Sequence, residues 1–262
     1  MKFNPVALAL VILLVVSATV VLLLPGPGFA EQDRSALLAS ASLHHPAGTD
    51  DLGRDRLVRS ATAFMLSLGG AVLAAAVTTA AAAGVGTLAA FGPAVAGWTV
   101  MLGCDVFLAL PWLFLLMMVR SALPLNTSPA HSVAITFLVL AALGWPACAR
   151  AVYRGILDLR TADWMLQARA GGLRSSQLIR HLIPNLQALL LPQFLICIPG
   201  FIMAEANLGA IGLGIGEPLP SWGGMLLQMG NSAMLVQTRW IYFPVALLIL
   251  VLLLLEAVAV EV

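Results

Sequence analysis

Residues 6–24 read VALALVILLVVSATVVLLL, 19 consecutive residues without a charge. A helix of this length is about 28 Å long, which matches a bilayer hydrocarbon core of about 30 Å. The 262-residue chain is 61% hydrophobic and only 10% charged, whereas soluble proteins are about 45–50% apolar and about 25% charged. Strands of a membrane barrel would alternate with period two. The uninterrupted runs therefore predict an all-α membrane protein.

Six runs of this kind predict about six transmembrane helices. They cover about 6–24, 62–91, 98–119, 133–148, 186–204 and 241–255. The second run is rich in alanine and glycine, which favours close packing inside a helix bundle. Prolines in the fifth predict kinks, and the Leu-, Ile- and Val-rich sixth is expected to face lipid. The predicted organisation is a first transmembrane helix (1–25), a periplasmic segment (26–61) and a five-helix core (62–262).

The charges predict the orientation of these helices. Residues 150–185 contain six arginines against two aspartates, and a basic excess marks the cytoplasmic side. This places both termini in the cytoplasm, and it places 26–61 and an outer loop, 206–239, in the periplasm. The alternative for residues 1–30 is a cleaved signal peptide, although the apolar cores of such peptides are only about 7–15 residues long.

Several enzyme classes are excluded by the residues that the chain lacks. Its only lysine is Lys2, so it has no lysine behind a glycine-rich loop to bind nucleotide phosphates. Neither an HExxH pair nor a GxSxG elbow occurs, and the GLGIG stretch at 212–216 lacks the spacing of a dinucleotide site. The three cysteines form no CxxC pair and are interpreted as buried apolar residues. We expect no enzyme activity and no catalytic, cofactor or metal site.

Residues 161–185 predict two short helices joined by a turn. Thr161 is the expected N-cap of the first, and Gly171-Gly172 would end it. Ser175 or Ser176 is expected to cap the second, which Pro184 would stop. Such a segment can be an amphipathic helix on the membrane surface or a docking element for a cytoplasmic partner.

Short motifs in three regions carry a resemblance to a known family. ARAGG at 168–172 and IRHLIPN at 179–185 resemble the cytoplasmic loop of permeases of binding-protein-dependent ABC importers, in the version of the dipeptide/oligopeptide/nickel subgroup. HPAGTDDLGRD at 45–55 is similar to the segment before the second span of that subgroup. Ala204-Glu205-Ala206, the GLG at 212–214 and the PSWG at 220–223 resemble its fifth-span exit and outer loop. Gln167 departs from the pattern, and the stretch from Gly172 to His181 is about one residue short.

The resemblance implies a type I ABC importer permease architecture with a cytoplasmic coupling helix. It implies two ATP-binding subunits as partners, a second permease subunit of different sequence, a periplasmic substrate-binding protein and membrane lipid, in the bacterial inner membrane. The residues that match the ATPase-coupling loop are Trp164, Ala168, Arg169, Gly171, Gly172, Arg180, His181 and Pro184. Peptides are the first expectation for the solute, with nickel complexes and other small solutes left open.

Two acids lie within or beside predicted spans. Asp105 is costly in lipid, so it is expected to line the translocation path or to contact another subunit. The alternative is a protonated or paired structural acid near Arg120 or a helix end. Glu205 is expected to anchor the fifth span at the outer interface, where Trp222 and Trp240 would form an aromatic belt. An ion-coupled secondary transporter is the alternative function, but it would need an acid matching Asp105 in an inverted repeat. A structural membrane protein is the third possibility.

Overall fold

The computed structural model describes residues 4–122, 128–230 and 239–260. Its helices are α1 (Pro5–Leu23), α2 (Arg56–Phe91), α3 (Ala94–Ala109), α4 (Trp112–Ser121), α5 (Pro129–Leu159), α6 (Asp163–Ala170), α7 (Ser175–Ala210), α8 (Trp222–Gln228) and α9 (Phe243–Val260), with a short 3₁₀ helix at Arg239–Tyr242. Within the described ranges there is no β-strand, only an isolated bridge between Thr49 and Asp55. The predicted all-α class is confirmed.

Among the residues that the structure describes, five helical segments are long and apolar enough to cross a membrane: α1, α2, α5, α7 and Arg239–Ala259, which contains most of α9. The predicted third span is not one straight helix, because α3 and α4 meet at an angle of 80°. The break lies at Leu110 and Pro111, where the proline cannot donate a backbone hydrogen bond. Counted as one broken span, this pair brings the total to six.

The core forms around α2, which packs along α5 and α7. The alanine-rich composition of α2 allows this packing, as predicted: Ala63, Ala71, Ala75 and Ala82 are fully buried. A side chain at Gly70 would overlap the Phe137 ring of α5, with atoms 2.3 Å apart. Small residues therefore let the helix backbones approach closely, while α1 lies at the periphery against α2 and α9.

The two ends of this bundle differ in construction. One end, here called the α6 end, carries the loop from Leu159 to Ser175. At the opposite end, the segment before α2 packs against the segment between α7 and α8. This segment before α2 contributes Asp50 and Arg54, α2 contributes Arg59, and the loop after α7 contributes Glu217. We call these four residues the ionic cluster.

The ionic cluster joins segments that are distant in sequence. Arg54 donates to Asp50 at 2.7 Å and to Glu217 at 2.9 Å. Arg59 donates to the other Glu217 oxygen, also at 2.9 Å, and to the carbonyl of Phe29 at 3.1 Å. Asp50, Arg54 and Arg59 are buried, so the paired charges offset each other's loss of water.

Two predictions for the opposite end are wrong. Trp222 is 1% exposed and packs in the core instead of joining an outer aromatic belt. Glu205 is fully buried inside the bundle instead of anchoring α7 at an interface. It accepts a hydrogen bond from Ser67 of α2 at 3.1 Å. Glu205 lies inside because α7 extends to Ala210, beyond the predicted end of the span. Trp222 lies inside because it begins α8, which packs against α7.

Candidate coupling site

The short helix α6 ends in a turn that only glycine adopts without strain. The N–H of Gly172 donates to the carbonyl of Arg169, and the N–H of Leu173 donates to the carbonyl of Ala168. These two bonds form a Schellman motif, which requires a left-handed residue. Gly172 supplies it with φ +81°. The glycine pair therefore ends the first helix as predicted.

The start of α6 differs from the prediction. Ala162 is the N-cap residue and makes no side-chain capping bond. The Thr161 hydroxyl, predicted to cap the helix, donates backwards to the carbonyl of Asp158 at 2.7 Å. Asp163 lies in the first turn, where a negative charge is favourable near the positive end of the helix dipole.

The second predicted helix is the first part of α7, and two details of its prediction are wrong. Arg174, not Ser175 or Ser176, is the N-cap residue, and its N–H donates to the Gln177 side chain at 2.8 Å. Pro184 does not stop the helix, which continues to Ala210. Burial of Leu178, Leu182 and Leu186 along one face offsets the backbone bond that the proline removes.

Apolar contacts fix α6 onto the bundle. Met165 is fully buried in a cluster with Ile156 of α5 and with Leu178 and Leu182 of α7. The rings of Trp164 and His181 lie 6.1 Å apart at an angle of 39°. One face of α6 is therefore attached to both neighbouring helices, while Leu166 and Gln167 on the other side are exposed.

Arg160 fixes the loop before α6 to the end of α2. Its guanidinium donates to the carbonyl of Ala90 and lies over the Phe91 ring, 5.2 Å from the centroid. Burial lowers the pKa of Arg160, but an arginine stays protonated at neutral pH. A charged donor therefore caps one of the last carbonyls of α2, at a helix end where a positive charge is favourable.

The predicted coupling residues fall into two groups. Trp164, Ala168, Arg169, Gly171 and Gly172 belong to α6 and its C-terminal turn, whereas Arg180, His181 and Pro184 lie on α7. The three α7 residues and Trp164 line one cavity of about 390 Å³, together with Asn185. The structure thus brings members of both groups to one place on the α6 end.

Asp105 lies outside this loop, on α3. It forms an ion pair with Arg150 of α5, and the two side chains are 47% and 30% exposed. The expected alternative partner, Arg120, instead donates to the carbonyls of Leu213 and Gly214 and to the Ser132 hydroxyl. Asp105 is therefore a paired acid, as one of the expectations had it, but its partner is Arg150 and not Arg120.

The ionic cluster is the main feature that the sequence interpretation missed. Residues 50–59 hold three aspartates and three arginines, and this equal number of opposite charges does not say which of them pair. The three aspartates and Arg54 of HPAGTDDLGRD, followed by Arg56 and Arg59, are the available signal. Glu217, which is 163 residues from Arg54 along the chain, gave no local signal at all.

Comparison with known proteins agrees with this architecture. Residues 82–260 match the family described as "Binding-protein-dependent transport system inner membrane component". A Brucella suis protein that carries the name of a peptide permease is 30% identical over 220 residues, covering 83% of this chain and 71% of its own length. The oligopeptide transport system permease protein OppC of Bacillus subtilis is 28% identical over 250 residues, covering 93% and 80%. The OppC protein of Mycobacterium tuberculosis is 29% identical over 251 residues, covering 94% and 83%.

The match spans more than half of the chain and includes α6 and the whole of α7. It confirms the resemblance to ABC importer permeases of the peptide subgroup that the motifs indicated, and it disfavours a secondary transporter. This multi-pass chain belongs to the family of inner membrane components of binding-protein-dependent transport systems, and it is a transport permease, not an enzyme.

Proposed function

We propose that this chain is one translocating subunit of an ATP-driven importer for peptides or similar small solutes. Its relatives carry the names of peptide and oligopeptide permeases. In this proposal the chain assembles with a second permease of different sequence, two ATP-binding subunits and a periplasmic substrate-binding protein. Residues 150–185 face the cytoplasm, both termini lie on that side, and the ionic cluster faces the periplasm.

The attachment of α6 is the observation that carries the proposal. A helix that transmits force has to be stiff and held to what it moves, with a free face for the motor. The buried Met165 and the Gly172 turn supply the attachment, and the exposed side chains of Leu166 and Gln167 supply the free face. Closure of the ATPase dimer would then push α6 and, through Met165, move α5 and α7.

The residues of the coupling site divide between these tasks. Trp164 and His181 join α6 to α7, and Ala168, Arg169, Gly171 and Gly172 shape the surface that the ATPase would grip. Arg180 and Pro184 continue that surface onto α7. Shifting a two-state transporter from about 1:99 to 99:1 takes about 5.5 kcal/mol, so a loosened α6 would lose much of the coupling. Asp105, with Arg150, is proposed to lie on the solute path or against another subunit.

Substitution of Gly172 tests the proposal. Proline cannot adopt φ +81°, so Gly172→Pro is expected to insert normally in the membrane but to abolish uptake and uncouple ATP hydrolysis. Gly172→Ala, strained by about 1–2 kcal/mol, is expected to reduce uptake partially. Gly84→Ala, in open space on α2, is the matched control and keeps normal uptake. Normal transport by Gly172→Pro would refute the coupling role.

A further inference from the structure

Cys148 of α5 and Cys197 of α7 lie with their sulfur atoms in contact. The two Sγ atoms are 3.3 Å apart, and both residues are free thiols. The cysteines are 49 residues apart along the chain, so no local sequence pattern pairs them. A disulfide has an S–S distance of about 2.05 Å, so the two sulfur atoms need to approach by only about 1.3 Å to form a bond.

Glycines on both sides of this cysteine pair hold α5 and α7 close together. A Cβ at Gly144 would lie 2.8 Å from the Phe201 ring, and a Cβ at Gly155 would lie 2.6 Å from the Leu189 side chain. The cysteine pair lies between these two contacts in the sequence of both helices. Because the helices are in close contact on either side of it, the approach of the two sulfur atoms is a property of the whole interface and not of one side-chain rotamer.

The two helices that carry the cysteines are also the ones that hold α6. Met165 of α6 packs against Ile156 of α5 and against Leu178 and Leu182 of α7. In the proposed function, a push on α6 moves both helices. Noncovalent contacts between α5 and α7 can separate and form again during a transport cycle, whereas a covalent bond cannot. A disulfide between the two cysteines would therefore prevent α5 and α7 from moving relative to each other.

The surroundings of the pair determine which oxidant can reach it. Cys148 is buried, whereas Cys197 is partly exposed, and both pack among apolar side chains of the bundle. Thiols in apolar surroundings react slowly, because the thiolate is the reactive form. The cytoplasm also keeps thiols reduced, so the dithiol is the resting state. An oxidant has to be apolar enough to enter the membrane and reach Cys197, and an organic hydroperoxide has this property.

We propose that Cys148 and Cys197 form a reversible oxidation site, which links α5 to α7 and stops transport when an organic hydroperoxide enters the membrane. The Cys197 sulfur attacks a peroxide oxygen, the O–O bond breaks, and an alcohol leaves with the thiol proton of Cys197, so that a sulfenic acid remains. The Cys148 sulfur then attacks this sulfur, the S–O bond breaks, and water leaves with the thiol proton of Cys148. Two thiols are oxidised to one disulfide, while the hydroperoxide is reduced to an alcohol and water. The arrest of transport rests on the proposed function, whereas formation of the disulfide does not.

The first experiment detects the bond in the full-length chain in membranes. Cumene hydroperoxide is added, and the chain is then denatured and its peptides are mapped without reduction. We expect linked peptides that contain Cys148 and Cys197, and a fall from three reactive thiols to one. Dithiothreitol is expected to restore all three. Because the bond closes a loop of 49 residues, oxidation is also expected to raise the Tm, by about 5 °C or more.

The second experiment measures peptide uptake by the assembled transporter. The native chain and the matched control Cys104→Ser are expected to lose most of their uptake after oxidation and to recover it with dithiothreitol. Cys148→Ala and Cys197→Ala are expected to keep their uptake in hydroperoxide, which separates the effect from methionine oxidation.

The proposal fails if the cysteines of the pair do not become linked to each other, or if thiols are lost only to bonds between copies of the chain. It also fails if the disulfide forms without loss of uptake. Absence of peptide uptake by the untreated native transporter would instead contradict the proposed function, and peptide mapping would still decide whether the oxidation site exists.

Discussion

The α6 end and the ionic end of this bundle are held by different forces. At the ionic end, buried arginines paired with the buried Asp50 and the half-exposed Glu217, together with close backbone contacts, join segments from three parts of the chain. At the α6 end, one eight-residue helix is attached mainly through Met165, with its other face exposed. Charge pairs and glycine contacts have narrow geometric tolerance, whereas apolar contacts can slide. The difference indicates that the ionic end is held rigidly and that α6 can move. We call the ionic cluster with its neighbouring backbone contacts the clamp, and α6 the lever.

The largest expected effect comes from opening the ionic cluster. Arg59→Ala leaves the buried Asp50 with Arg54 as its remaining partner and the half-exposed Glu217 with one arginine fewer. Solvent screens Glu217, so the expected cost lies below that of breaking a fully buried pair, which is about 3–5 kcal/mol. We expect a large fall in the Tm of the purified chain, measured by thermal unfolding in detergent. Arg34→Ala, at an exposed position of the same segment, is expected to leave the Tm unchanged. Equal Tm values for the two variants would contradict the claim that the ionic cluster stabilises the fold.

The second-largest effect is expected from weakening the attachment of α6 to the bundle. Met165→Ala removes a fully buried side chain, a change that costs about 2–5 kcal/mol in packed cores. Because α6 is short and lies at the edge of the bundle, we expect local detachment, seen as faster hydrogen exchange in residues 163–170 with little change in Tm. Leu166→Ala, on the exposed side, is the adjacent control. A fall in the Tm of the whole chain without faster hydrogen exchange in residues 163–170 would contradict the claim that α6 moves independently of the bundle.

The glycine contacts of the clamp predict a smaller loss. A Cβ at Gly209 would lie 2.5 Å from the backbone of Gly223, so Gly209→Ala overpacks a rigid contact at a cost of about 1–3 kcal/mol. Gly200→Ala, in open space on the same helix, is expected to be neutral or to stabilise slightly. Thermal unfolding of the two variants side by side measures the difference.

The smallest expected effect is at Asp105. Its pair with Arg150 is partly exposed, and exposed pairs contribute at most about 1 kcal/mol. If this surface is hydrated or covered by protein, Asp105→Asn inserts and folds normally and changes only the uptake rate. Failure of the variant to insert would show instead that Arg150 is left unpaired in lipid, which is far more costly.

Much of this architecture follows from local sequence. The long apolar runs predict the spans, and Gly171-Gly172 predicts the end of α6, because hydrophobicity and glycine geometry act over a few residues. The continuation of α7 through Pro184 could not be predicted this way, since burial of Leu178 and Leu182 depends on which helices lie nearby. Pro111 is itself a local signal for the break between α3 and α4. The apolar composition of 98–119 nevertheless predicts one continuous span, so this signal is easily missed.

The ionic end depends on contacts between residues that are distant in sequence, and no local pattern predicts such contacts. The contact of Arg54 with Glu217 and the burial of Trp222 arise only when distant segments meet. For the coupling site, the motif located the residues but not their division between α6 and α7. That division, and with it the cavity between Trp164 and Arg180, required the three-dimensional arrangement.

Cross-linking from the free face of α6 tests the central claim most directly. In a chain whose three cysteines are replaced by serine, Gln167→Cys is placed on the exposed side of α6, and the transporter is assembled in membranes. We expect a cross-link to a nucleotide-hydrolysing subunit, with a yield that changes when ATP is added. Labelling of the same cysteine by a membrane-impermeant reagent from the periplasmic side, with no such cross-link, would contradict the account.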